Sequence, residues 1–134
     1  MDENMLETIS LIVSVAAGVL SSLDVVKNVQ GIKRAKASFF LEEIATTIDE
    51  VVTKFKNNEV PHGACMRMRQ YSLHFVDTLE GLIDTEQLIS YSNMLYYAHE
   101  LELLYKDVQD DNNKLVELEK AAGMFRAAAM LAKI

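Results

Sequence analysis

The sequence predicts an all-α protein, an antiparallel up-and-down bundle of four to five helices forming one domain over residues 1–134. Three observations carry that expectation. One proline and five glycines, with many Ala, Leu, Glu, Lys and Met, favour helices and leave little turn chemistry for a sheet. Apolar residues recur with a period near 3.6 in every stretch of element length, and nowhere do they alternate. The connections between these stretches are short, which suits antiparallel neighbours. A chain of this length buries roughly two thirds of the surface its unfolded form exposes, so no disulfide or structural metal is needed.

The first element begins near Met5 and carries Ile9, Ile12, Ala16, Val19, Leu23 and Val26 at helical spacing. Leu11, Val13, Val15, Ala17 and Leu20 fill most of the remaining circumference, and the sixteen residues from Thr8 to Leu23 hold no charge. A helix apolar nearly all round must be buried on several sides. Small residues also recur at a four-residue step, Ser10, Ser14, Gly18 and Ser22, with Ala17 and Ser21 alongside, so another backbone can come close. This stripe is the expected self-association surface, on which Gly18→Leu should be disruptive and Gly18→Ala mild.

Gly31 is a weak break, since a single glycine costs only about 1 kcal/mol inside a helix. Beyond it Ala37, Phe40, Leu41, Ile44, Ile48, Val51 and Phe55 form a clean stripe opposite Glu42, Glu43, Asp49, Glu50 and Lys54. Lys33, Arg34 and Lys36 would oppose the macrodipole in a first turn, so continuity of the first two helices is the plainer expectation. Asn57, Asn58 and Pro61 then punctuate the chain. A third helix places Cys65, Met68, Ser72, Phe75, Leu79 and Leu82 on one face and stops at Gly81 and Asp84. With Thr85 as its cap, a fourth continues through Leu88, Tyr91, Leu95, Ala98, Leu101, Tyr105 and Val108. After the polar run from Asp110 to Asn113, Leu115, Leu118, Ala122, Phe125, Ala129 and Ala132 trace a fifth.

The net charge of −7 is uneven: residues 1–69 hold 8 Lys/Arg against 9 Asp/Glu, and residues 70–134 hold 5 against 11. The second half repels phosphate backbones, so nucleic acid is not an expected partner. The lone Cys65 forms no internal disulfide, and Asp2, Glu3 and Glu7 stand where a secretory signal would be positive. A cytoplasmic location, peripheral to a membrane in one alternative, is expected.

Several constellations have both a chemical and a packing explanation. The uncharged first helix would span only about 24 Å, short of the roughly 30 Å hydrocarbon core, so one copy is a poor transmembrane span. Lys27, Lys33, Arg34 and Lys36 follow it and could draw anionic lipid or an acidic partner. A buried core helix with a solvated charge run is the competing explanation. His74 with Asp77, and His99 with Glu102, place imidazole and carboxylate three apart, in the reverse of the Glu-x-x-His order used by di-iron bundles. No metal and no cofactor is expected there. Cys65 and His62 could pair as nucleophile and base, but Cys65 falls on the core stripe, where a packed thiol is ordinary. Seven methionines at helical spacing read as core filler. Tyr91, Tyr96, Tyr97 and Tyr105 are the better partner surface, because tyrosine buries a large area and keeps its hydroxyl near water. No glycine-rich phosphate loop, nucleophile elbow or zinc-finger spacing occurs, so no enzyme is expected.

In its order of parts, a hydrophobic first helix, a basic stretch and then an amphipathic bundle, the chain resembles the helical cell-death effector domains of the HeLo and mixed-lineage-kinase type. The likeness is one of layout and assigns no role to any residue. It implies membrane engagement as an alternative. The leading expectation is a non-enzymatic bundle acting by protein association, with itself as homo-oligomer or with a protein partner. A membrane-associated or membrane-perturbing effector comes second, and a metal-binding bundle third.

Overall fold

The structure, a computed structural model, describes residues 3–23, 31–104 and 112–133. Five α-helices account for most of them: α1 (Glu3–Leu23), α2 (Gly31–Lys56), α3 (His62–Leu79), α4 (Thr85–Tyr96) and α5 (Asn112–Lys133). A 3₁₀ helix, Tyr97–Leu104, continues α4. Among the described residues there is no strand, only an isolated bridge between Glu80 and Ile83. The protein is an all-α bundle.

Among the described residues, the periodic stripes lie on the buried sides of their helices, with Tyr91 only half-buried. Ile9, Ile12, Ala16, Val19 and Leu23 of α1 join Ala37, Phe40, Leu41, Ile44, Ile48, Val51 and Phe55 of α2 in one contiguous core. Cys65, Met68, Phe75 and Leu79 of α3, Leu88 and Leu95 of α4, and Leu115, Leu118, Phe125 and Ala129 of α5 complete it.

Pairs of residues fix the order and direction of packing. Along α2 and α5, Arg34 donates to the Ala132 carbonyl, Ser38 to the Ala129 carbonyl, and Lys56 reaches Glu119, so these helices run antiparallel. Phe40 meets Phe75 while Glu50 meets Arg67, which sets α3 antiparallel to α2 on another side. Ser92 donates to the Ser72 carbonyl and His62 contacts Glu102, bringing the α4 segment back along α3. Both α1 and α2 pack most extensively on α5. The composition of α5 explains why: Ala121, Ala122, Ala128, Ala129 and Ala132 are all buried and let both neighbouring backbones approach closely.

Helix ends follow local chemistry. Asn58 takes a left-handed φ of 58° after α2, with Glu59 N–H bonded to the Lys54 carbonyl. Gly81, at φ 89°, makes the turn out of α3. Thr85 opens α4 and Asp84 holds the cap position, without a side-chain hydrogen bond. The expected α-helix through Val108 instead gives way to 3₁₀ at Tyr97. There the His99 ring Nδ1 lies 2.5 Å from the Tyr96 carbonyl, which can only accept, so an imidazole N–H competes for the carbonyl at the helix end. Residues 24–30, where continuity of α1 and α2 would be decided, and residues 105 and 108 lie outside the described residues.

Candidate functional site

The side of α2 turned away from the core is the most unusual surface of the bundle. With about 100° per residue, Ile32, Lys36, Phe39, Glu43, Thr46 and Thr53 share one face, opposite the buried stripe. All six are exposed. Phe39 is 67 % and Ile32 74 % exposed, and Met130 of α5, 68 % exposed, stands nearby. An exposed aromatic beside other large apolar side chains is a reason to look for a partner.

Phe39 is also a ridge between two grooves. One, of about 330 Å³, lies between α2 and α5 and is lined by Ala35, Phe39, Ala129, Met130 and Lys133 among others. The second, of about 420 Å³, lies between α2 and α3, where Phe39, Glu43, Thr46, Glu50, Arg67 and Tyr71 line it. Neither groove gathers a nucleophile with a base.

Five of the charged residues on α2 are ion-paired, and the outer face keeps two charges that are not. Arg126 bridges Glu42 and Asp49, Arg67 holds Glu50, and Lys54 and Lys56 are paired with Glu59 and Glu119. Arg34 is spent on the α5 carbonyl, and the methylenes of Lys33 lie against Gly81. Lys36 and Glu43, one on each side of Phe39, have no ion-pair partner among the described residues.

The residues singled out from sequence fall in different places. On α1, Ser10 and Ser14 are exposed, Gly18 and Ser22 are half-buried, and the Tyr91 ring fills the space beside Gly18. Each four-residue step advances about 40° beyond a full turn, so that stripe rolls inward along the helix. The series that stays outside is Ser10, Ser14, Ala17 and Ser21. Lys33 and Arg34 are half-buried and Lys36 is exposed, whereas Lys27 lies outside the described residues. Tyr91 faces Gly18, Tyr96 stacks edge-on with Tyr97 and His99 and under Arg69, and Tyr97 is exposed. Tyr105 lies outside the described residues.

Two of the chemical candidates, Cys65 and His62, have defined surroundings. Cys65 is buried, and burial, with the charge of Glu102 adding to it, pushes its thiol up to about 12. His62 turns from it to Glu102, at 2.6 Å. Among the described residues, no group of three or more His, Cys, Asp or Glu is placed to hold a metal ion. No described helix is long and apolar enough to cross a membrane. Sequence reasoning missed Phe39, although the Phe39–Phe40 doublet carried a signal, because two adjacent aromatics on a helix stand 100° apart and only one fits the core stripe. Comparisons with protein families, with curated proteins and with solved structures give no match.

Proposed function

We propose that this protein works by association, without chemistry of its own, and that its partner is a second copy of the chain bound through the outer face of α2. The exposure of Phe39 between two grooves is the observation that carries this reading. Covering a phenylalanine side chain stabilises a contact by roughly 1.5–3 kcal/mol, enough for one residue to dominate a small interface. The outer stripe of α1 is uncharged and offers a further contact, but Gly18 is already engaged by Tyr91.

The test is the solution mass over a concentration series, for the wild type and for Phe39→Glu. The wild type should move from monomer to dimer as concentration rises, and Phe39→Glu should stay monomeric with an unchanged circular dichroism spectrum. A wild type that is monomeric throughout, or a Phe39→Glu dimer as tight as the wild type, overturns the reading.

A second reading draws on the same end of the bundle, where Lys36 and Lys133 are exposed beside Ile32, Phe39 and Met130. Basic residues around apolar tips suit an anionic lipid surface. Co-sedimentation with phosphatidylserine vesicles at low salt, lost in Lys36→Glu, would favour it over self-association.

A further inference from the structure

The outer face of α2 is self-complementary. Ile32, Lys36, Phe39, Glu43, Thr46, Glu50 and Thr53 follow one another at alternating steps of four and three, the spacing of a seam between two helices. Phe39 lies at its apolar point, with a cation three residues before it and an anion four residues after it. Turning this face by a half rotation about an axis close to Phe39 and perpendicular to the helix exchanges the two ends. Lys36 then meets Glu43 of the other copy, Glu43 meets its Lys36, and Ile32 falls near Thr46.

We propose that two copies pair through antiparallel α2 helices about a two-fold axis beside Phe39, with the Lys36 to Glu43 contact formed twice across it. The proposal rests on the self-association reading and adds its geometry. A two-fold contact presents the same patch from both partners, so a patch must carry both signs of charge to attract itself. Here it does: on the outer face of α2, Lys36 and Glu43 have no ion-pair partner among the described residues, while Glu50 on that face is held by Arg67. Glu42, Asp49, Glu50, Lys54 and Lys56 each have an ion-pair partner within the chain. Each copy's Phe39 also faces the grooves flanking the other's α2, where ridge-into-groove packing can cover it.

The two-fold makes a specific demand on variants of this pair. Lys36→Glu sets carboxylate against carboxylate at both symmetric contacts, and Glu43→Lys sets ammonium against ammonium at both, so each variant alone should dimerise about tenfold more weakly or worse. An equimolar mixture of the two variants forms a heterodimer in which one contact keeps the native pair of chemistries in reverse, anion from one copy against cation from the other, and the remaining contact is the native Lys36 with the native Glu43. The double variant restores both attractive pairs with itself. Sedimentation of the wild type, both single variants, their mixture and the double variant reads this directly. Both positions are exposed, and circular dichroism verifies that each variant folds. As an independent measurement that keeps Phe39, a Lys36→Cys copy should be joined to a Glu43→Cys copy by a short bis-maleimide, the buried Cys65 staying unreacted.

Recovery in the mixture and in the double variant is the expected result. A wild-type dimer that Phe39→Glu dissolves but that the mixture of single variants does not recover overturns the two-fold register and leaves self-association standing. A wild type without dimer overturns both. Lys36→Glu weakening vesicle binding while no dimer forms at any concentration assigns the face to lipid, and likewise overturns the proposal.

Discussion

The phenol ring of Tyr91 occupies the space into which a side chain at Gly18 would grow, so the absence of a β-carbon on α1 is what lets α4 seat its tyrosine there. Hydroxyl and ring carbons alike lie within that volume. The glycine of the small-residue stripe therefore serves a contact inside the chain.

Gly18→Ala is accordingly expected to destabilise. A methyl would gain about 1 kcal/mol of helix propensity but force Tyr91 out of its seat, and overpacking of this kind costs about 1–3 kcal/mol. The melting temperature should fall by several degrees, at about 3–5 °C per kcal/mol for a protein of this size. In a Tyr91→Ala background the same substitution should be neutral or stabilising, which a double-mutant thermal unfolding cycle would read. Equal effects in both backgrounds would remove Tyr91 from the explanation.

Ser38 donates a 2.7 Å hydrogen bond to the Ala129 carbonyl in the buried seam of α2 and α5. Ser38→Ala should cost about 1 kcal/mol, and Ser38→Val more, because the bulkier side chain parts two helices held close by alanine. Urea unfolding would show a lowered midpoint with an unchanged slope. A midpoint unmoved in Ser38→Val would mean that the seam is not closely packed.

Arg126 links α5 to Glu42 and Asp49 at 2.9 Å each, and these hydrogen bonds, Glu42 first, raise its pKa further, so it is charged throughout the ordinary pH range. The partners are partly exposed, so the link is worth only about 0.5–1 kcal/mol. Arg126→Gln should lower stability by that amount in dilute buffer, and the difference should shrink at high salt, as screening requires. A deficit that salt leaves untouched would point to lost packing instead.

The thiol of Cys65 should be slow toward a disulfide reagent at pH 8 and react fully once guanidinium unfolds the chain. Its folded pKa is raised to about 12 by desolvation, with Glu102 adding to the effect, so the fold favours the neutral thiol. The sign follows: stability from this group is complete below the ordinary thiol pKa and falls as pH climbs from about 9 towards 12, where only the unfolded thiol ionises. Cys65→Ala should flatten the fall in that window. Rapid labelling of the folded protein would contradict the burial.

Much of the architecture was legible because periodicity reports burial directly. Every residue of the α2 stripe from Ala37 to Phe55 is buried, and so is every residue of the α5 stripe from Leu115 to Ala132. What periodicity could not report is which buried faces meet. The alanines of α5 look like indifferent helix formers in sequence, yet they are where close approach occurs, a role expected of α1. The move to 3₁₀ at Tyr97 coincides with the contact of the His99 imidazole on the Tyr96 carbonyl, and no period announces that. The candidate surface was hidden for a related reason: Phe39 stands out only when its neighbours on α3 and α5 are seen to leave it uncovered.

The helix on which both α1 and α2 rest lies downstream of every other described helix. On a ribosome adding about 5–20 residues per second, α1 is therefore in solution for roughly several seconds before its main support has been made. Its uncharged stretch from Thr8 to Leu23 has to wait with much of its core face bare, sheltered only by α4 and the 3₁₀ helix. Such distant pairing also raises the contact order above that of a simple helical hairpin stack, so refolding should be slower than the helix content alone suggests. For the nascent chain, the interval before α5 emerges is when a chaperone would have the most to hold.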